Sequence, residues 1–260
     1  MSQESQSGVR RLGIVVAMDQ EFNRISAGLT SPEVVRIGPR DFLCAEKSGL
    51  AVVCVRSRIG KVAAASTATS LINQFGVDAI VFTGVAGGVT PHIGVGDLVV
   101  ADALMQYDID LKGILKCNRF DIPLLDVAKM PCSRKLFEIA ISSAREVVSK
   151  AEYCATMRAF SPHLPKSHVG VIASGDTFIN SSEEREELLR HISDLACVEM
   201  EGGAVAQVCL EHGVPFVVCR VISDSADGDA RLDFEAFLSS AASIGSNLFI
   251  EAFVEKLRGA

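Results

Sequence analysis

The sequence predicts a single α/β domain, a mixed and mostly parallel central sheet wrapped by helices. Three observations carry this expectation. Apolar runs of strand length alternate with stretches of helical period, the order that builds a sheet covered by helices. Nothing in the 260 residues reads as a linker or an internal repeat. Apolar residues make up 48% of the chain, enough for one sizeable core. Residues 1–10 are polar and predict a disordered tail, which leaves 11–260 as the domain.

Each element has its own signal. Leu12–Met18 is an apolar run that suits a first strand buried on both faces. Phe42–Lys47 and Ala51–Arg58 have strand character and flank the Ser48-Gly49 turn signal, which predicts a hairpin. Gly60 opens Lys61–Phe75, whose small apolar residues suit a closely packed helix. Ala79–Thr83 is a strand ending in Gly84-Val85-Ala86-Gly87-Gly88. Gly96–Leu104 is another, followed by a polar, proline-containing loop from Tyr107 to Pro131. Arg134–Ala151 spaces Leu136, Phe137, Ala140, Ile141, Ala144, Val147 and Val148 as an amphipathic helix. Residues 152–167 read as a loop with two prolines. His168–Ser174 is a strand, and Ser181 with Glu184 forms a capping box for a helix through His191. Cys197–Met200 is short and extended, Gly202–Glu211 helical, Phe216–Ile222 a strand, and Phe234–Leu257 a long closing helix.

Charge and composition narrow the partner. A net charge of −7 with no Lys/Arg cluster argues against nucleic acid, whose phosphates call for a basic face. The first ten residues lack the apolar core of a signal peptide, and no apolar run approaches the roughly 18–20 residues that span a bilayer. The eight cysteines are scattered without a CxxC pair, and several sit in strand-like runs where a reduced thiol acts as a small hydrophobe. A small-molecule partner, a reducing cytoplasm, no metal and no cofactor are the expectations.

In such folds ligands gather at the carboxyl ends of the strands. Four segments fall there: Met18–Glu21, Gly84–Gly88, Ser174–Asn180 with Glu199–Glu201, and Ser223–Asp227. Asp224 ends an apolar strand, where a carboxyl walled from water can serve as a general acid; the same spacing fits a cap on the next turn. Glu199 and Glu201 lie two apart on an extended segment and so share a side, which suits holding sugar hydroxyls or dividing acid and base roles. Glu201 equally suits a helix N-terminus. Glu21, just past the first strand, has a weaker signal. The run through Ala86 and Gly87 lets backbone amides approach a ligand, although a tight turn would use the same glycines. Phe178 offers a ring to stack on a base, and a core phenylalanine fits as well.

As an ordered set, seven segments resemble one family. They are Gly13–Glu21, Ile59–Ala64, Thr83–Gly88, Val95–Asp97, Ser174–Ile179, Val198–Gly202 and Arg220–Asp224. They are similar to the methylthioadenosine/S-adenosylhomocysteine nucleosidases of the purine nucleoside phosphorylase superfamily, over most of residues 12–258 and least over 107–168. The resemblance implies a nucleoside phosphorylase-like fold and hydrolysis of an adenine nucleoside. It implies that Asp224 protonates N7 of adenine, oriented by Ser223, and that Glu21 activates the attacking water. Glu201, with Met200 beside it, would hold the ribose hydroxyls, and Glu199 would support the water and sugar region. Phe178 would stack on the purine while the Ile179 backbone reads its edge, and Ile59 and Phe234 match positions that contact the 5'-alkylthio group. A homodimer is also implied, in which Leu111–Pro123 reaches across the interface.

The chain departs from the family at Val85, where many members carry serine, at Met18–Glu21, which keeps only the last acid of a more acidic run, over Leu111–Pro123, and over 152–167, which look inserted. Competing readings are a phosphorolytic nucleoside phosphorylase, a nucleosidase for aminodeoxyfutalosine, and a nucleoside-binding protein without catalysis. Asp224, Glu21 and Glu201 together argue against the last. A phosphorylase needs forked arginine donors for a dianion, yet Phe82 stands at one such position, the first loop offers Asp19 and Glu21, and Arg24 is the only cation near it.

Overall fold

Buried strands set the architecture, because their continuous apolar runs must be covered on both faces. The structure, a computed structural model, describes residues 8–123, 125–226, 234, 237, 238 and 241–260. Along the chain these form β1 (Arg11–Val16), α1 (Asp19–Ala27), β2 (Glu33–Ile37), β3 (Arg40–Lys47), β4 (Leu50–Arg56), α2 (Lys61–Phe75), β5 (Ala79–Gly88), β6 (Leu98–Gln106) and β7 (Met130–Pro131). There follow α3 (Arg134–Ser149), α4 (Ala151–Met157), β8 (Ser167–Ser174), α5 (Ser182–His191), β9 (Leu195–Glu199), α6 (Gly202–His212), β10 (Phe216–Asp224) and α7 (Ala242–Arg258).

The sheet is mixed. Strands β5, β10, β6, β8 and β9 pair in turn and return to β5, a barrel-like closed ring. From β5 the sheet continues outward through β1, β4, β3 and β2. Parallel ladders join β1 to β4 and β5, β5 to β10, and β8 to β6 and β9. Antiparallel ladders form the β2–β3–β4 meander and the ring's seams at β5–β9 and β6–β10. One face is covered by α1, α3, α4 and α7, the other by α2 and α6, and α5 closes a third apolar cluster with Tyr107 and Phe120.

Several elements differ from the sequence expectations. Helix α1, which was not expected, follows β1 directly; it is short and buries only Glu21 and Ile25. Edge strand β2 was not expected either, since Val34 is exposed and the strand pairs on one side only. The Gly84–Gly88 run is no turn: β5 continues through it, pairing with β10 and, at Gly87 and Gly88, with β9. Residues 152–167 are not all loop, because α4 buries Tyr153 and Met157, four residues apart, against the core. The closing helix is not continuous from Phe234 to Leu257. Ala241, with φ −131°, precedes α7, while Phe237 turns inward and is fully buried. Of the expected tail, residues 1–7 lie outside the described residues, while Val9 packs on the core and the Arg10 amide donates to Asp78.

The capping box forms with one change of partner. Ser181 Oγ accepts from the Glu184 amide, and Glu184 Oε2 accepts from Ser181 Oγ and the Asn180 amide.

Candidate active site

The strand ends deliver the predicted segments to one cavity. Ala86 and Gly87 come from β5, Glu199 from the end of β9, Met200 and Glu201 from the junction with α6, and Ser223 and Asp224 from β10. With Ile59, Phe178 and Phe234 they line a cavity of about 520 Å³, counting its open mouth. A recess of about 240 Å³ shares Gly87, Phe178, Met200 and Asp224 with it and adds Ile179. Phe178 and Phe234 meet edge to face, centroids 5.7 Å apart. Glu21 does not line the cavity; it is fully buried behind Gly84, and a Cβ on that glycine would lie 3.5 Å from its Oε1.

At two glycines of β5 a side chain would crowd what faces the strand. A Cβ at Gly84 would come within 3.1 Å of Arg220 Nη1, and one at Gly87 within 2.8 Å of Asp224 Oδ1. The run keeps a strand flat against functional side chains, a close-approach use of glycine.

Arg220 enters the sequence expectations only as part of the Arg220–Asp224 segment, yet among the described residues it is the cation lining the cavity, whereas Arg24 was expected only near the first loop. Arg24 is exposed on α1. Arg220 is buried in β10 and belongs by alternation with Val218 and Ile222. Its guanidinium lies 4.0 Å above the Phe82 ring centroid and pairs with Glu199, with Glu201 Oε2 3.9 Å away. Among the described residues, its buried Nε and Nη1 have no hydrogen-bond partner. An arginine inside an apolar run is the one signal available, because such a side chain is buried only when paired.

Glu199 is saturated. Its carboxylate accepts from Arg220, Ser174 Oγ, the Glu201 amide at 3.1 Å and the Gly202 amide at 2.8 Å, where the N-terminus of α6 adds its dipole. Glu201 Oε1 accepts from the Gly60 amide at 2.9 Å, which ties α2 to the cavity. Burial, then the neighbouring Glu199 charge, raises the Glu201 pKa despite Arg220. Glu21 accepts from the Met18 amide at 3.3 Å and from Ser246 Oγ of α7 at 3.2 Å. Burial pushes its pKa up to about 7, against the opposing pull of Arg220 and these hydrogen bonds. For Arg220, burial works against the charge, but Glu199, Glu201 and Glu21 outweigh it and hold the guanidinium protonated.

Asp224 is held across the cavity by Ser223 Oγ, which donates to Oδ2 at 2.7 Å, and by the Ala226 amide, which donates to Oδ1 at 2.9 Å. Among the described residues no group of three or more His, Cys, Asp or Glu side chains is placed to hold a metal ion. The arrangement sets a carboxyl, Asp224, and a guanidinium, Arg220, in the wall of one cavity, with the buried carboxyl of Glu21 behind Gly84.

The comparisons agree with this geometry. The phosphorylase superfamily profile matches residues 11–255. A 5'-methylthioadenosine/S-adenosylhomocysteine nucleosidase of Staphylococcus aureus is 33% identical over 95% of this chain and 100% of its own. Among solved structures, the nucleosidase of Colwellia psychrerythraea in complex with adenine superposes with a TM-score of 0.85 at 31% identity, covering 96% of each chain. The futalosine hydrolase of Helicobacter pylori gives 0.82 at 34%, covering 95% of this chain and 98% of that one. The full-length match, with the glutamates, the aspartate and the glycine strand meeting in one cavity, shows that the chain belongs to the methylthioadenosine/S-adenosylhomocysteine nucleosidases of the phosphorylase superfamily.

Proposed function

We propose that the protein hydrolyses the N-glycosidic bond of 5'-methylthioadenosine and S-adenosylhomocysteine, releasing adenine and the 5'-thio-ribose. The purine occupies the recess between Phe178, the Ile179 backbone and Asp224. The ribose lies against Met200 and Glu201, and the 5' group points to Ile59 and Phe234. Asp224, oriented by Ser223, gives a proton to N7, so adenine leaves neutral as the bond to C1' breaks. Water attacks the oxocarbenium-like carbon and yields its proton to Glu21. Glu199 acts at one remove, by fixing Arg220 and the amides of α6. General acid–base groups of this kind are worth on the order of 10²–10⁴ in rate.

One observation carries the choice of water over phosphate: the only cation at the cavity, among the described residues, is already surrounded by Glu199, Glu201 and Glu21. A phosphate dianion entering there would have to compete with these carboxyls for the one guanidinium, whereas a neutral water needs no such cation. Incubation with methylthioadenosine, with and without phosphate, tests this by product identification. Adenine and free sugar at equal rates in both are expected; ribose-1-phosphate or a strict phosphate requirement would replace hydrolysis by phosphorolysis. The Helicobacter pylori neighbour motivates an aminodeoxyfutalosine arm in the same assay.

This reading includes a homodimer in the cytoplasm. Ile59, Val62, Ile114 and Leu115 are exposed apolar side chains near the cavity mouth and in the loop that starts at Asp108, which Lys61 binds at 2.5 Å. A second copy would cover them. The eight cysteines are free, as a reducing compartment keeps them. Among the described residues no helix is long and apolar enough to cross a membrane.

A further inference from the structure

The segment Ala151–Phe160 is absent from the reaction scheme, yet it is fastened to three parts of the cavity's frame. Tyr153 Oη donates to the Gly96 carbonyl at 2.7 Å, and Gly96 in turn donates to the carbonyl of Ile222, two residues before Asp224. Gly96, at φ +88°, has no room for a side chain, since Met157 Sδ would lie 2.8 Å from its Cβ. The Tyr153 hydroxyl also abuts Gly245, where a Cβ would sit 3.1 Å away, next to the Ser246 that donates to Glu21. After α4 the chain turns, and Phe160 packs edge to face on buried Phe237, centroids 5.3 Å apart at 74°. Phe234 lies three residues before Phe237, lines the cavity and meets Phe178.

We propose that Phe160 is a specificity-determining positioning residue: braced by α4, it backs Phe237 and so holds Phe234 as the wall against an apolar 5' substituent. The inference rests on the nucleosidase reading. Tyr153 and Met157 are the fixed end of the brace, anchored in the core. Phe160 is its contact with the wall, half-buried and outside the cavity. A substrate that buries an alkylthio group on Phe234 gains from a wall held in place. Adenosine, with the same base and ribose but a small polar 5' hydroxyl, gains almost nothing there.

Steady-state adenine release from methylthioadenosine and from adenosine, by the full chain and by Phe160→Ala, tests the proposal. Loss of an aromatic pair of this geometry corresponds to about fivefold. The expected result is a rise of that order in KM for methylthioadenosine, with kcat and the adenosine kcat/KM changed less than twofold. Phe160→Tyr should restore the wild-type ratio. Equal losses on both substrates, or an unchanged methylthioadenosine KM, would overturn the proposal. Should Phe160→Ala fail to fold, Phe160→Leu carries the same comparison, with a shifted substrate ratio expected and a constant ratio refuting. Wild-type protein that releases adenine from neither nucleoside would overturn the nucleosidase reading itself, a result distinct from a ratio that does not move.

Discussion

Replacing Glu21 with glutamine separates what this carboxyl does for the reaction from what its burial costs the fold. In the unfolded chain the group titrates near 4.5; in the folded protein burial pushes it to about 7. The folded state thus binds this proton more tightly. The stability that follows is fully present below the unfolded value, falls as pH rises, and is lost above about 7. The gap amounts to ~3 kcal/mol at about 1.4 kcal/mol per pH unit. Glutamine keeps an oxygen for the Met18 amide and has no proton to lose. The wild type should therefore lose ~3 kcal/mol relative to Glu21→Gln between pH 4 and pH 8. Urea unfolding followed by far-UV circular dichroism measures this, the sequence having no tryptophan to report by fluorescence. In the proposed mechanism the same ionisation supplies the base, so wild-type turnover should rise as pH climbs toward about 7, and the variant should bind substrate without hydrolysing it. A stability difference that stays flat across this range, or grows the other way, would refute the buried titration. Normal hydrolysis by the variant would move the base elsewhere.

Three further outcomes are expected. Asp224→Asn should lower turnover by on the order of 10²–10⁴ with its unfolding midpoint kept, as followed by chromatographic detection of adenine; near-normal turnover would remove Asp224 from the chemistry. Arg220→Met leaves Glu199 and Glu201 buried without a countercharge, so urea unfolding should report a loss of about 3–5 kcal/mol, and unchanged stability would show that the pair is not held as described. Sedimentation velocity should show a dimer, and a stable, active monomer at low concentration would refute the assembly.

The chain's legibility followed the range of its interactions. Asp224 stands out because an apolar strand runs into it, and Glu199 with Glu201 because an extended pair shares a side; both signals lie within a few residues. The Gly84–Gly88 run was visible as unusual, but its purpose was not, because a turn and a close approach ask for the same residue. What decides between them is Arg220 and Asp224 on a neighbouring strand. Arg220 itself was hidden for the same reason. A lone arginine in a strand looks like an edge position until its partners arrive from β9 and α1, far away in sequence. Helix α4 was masked by Pro162 and Pro165 just beyond it, with only Tyr153 and Met157 to mark its buried face.

The charge balance of the cavity bears on why this set of residues should accelerate hydrolysis. Glu21, Glu199 and Glu201 share one guanidinium in a buried site, and burial raises the pKa of Glu21 and of Glu201. Three carboxyls thus face a single guanidinium, and the raised pKa values let bound protons balance part of their charge in the resting site. A neutral nucleoside entering it does little to change that. In the proposed reaction, however, the ribose takes on positive charge as the glycosidic bond breaks, beside Glu201 and the water assigned to Glu21. The interaction is therefore stronger in the transition state than with bound substrate, the condition for acceleration rather than mere binding. As the proposed acid, Asp224 would meanwhile have to stand apart from this cluster, to deliver a proton rather than compensate a cation. Its own hydrogen bonds, to Ser223 and the Ala226 amide at the far end of β10, keep it there.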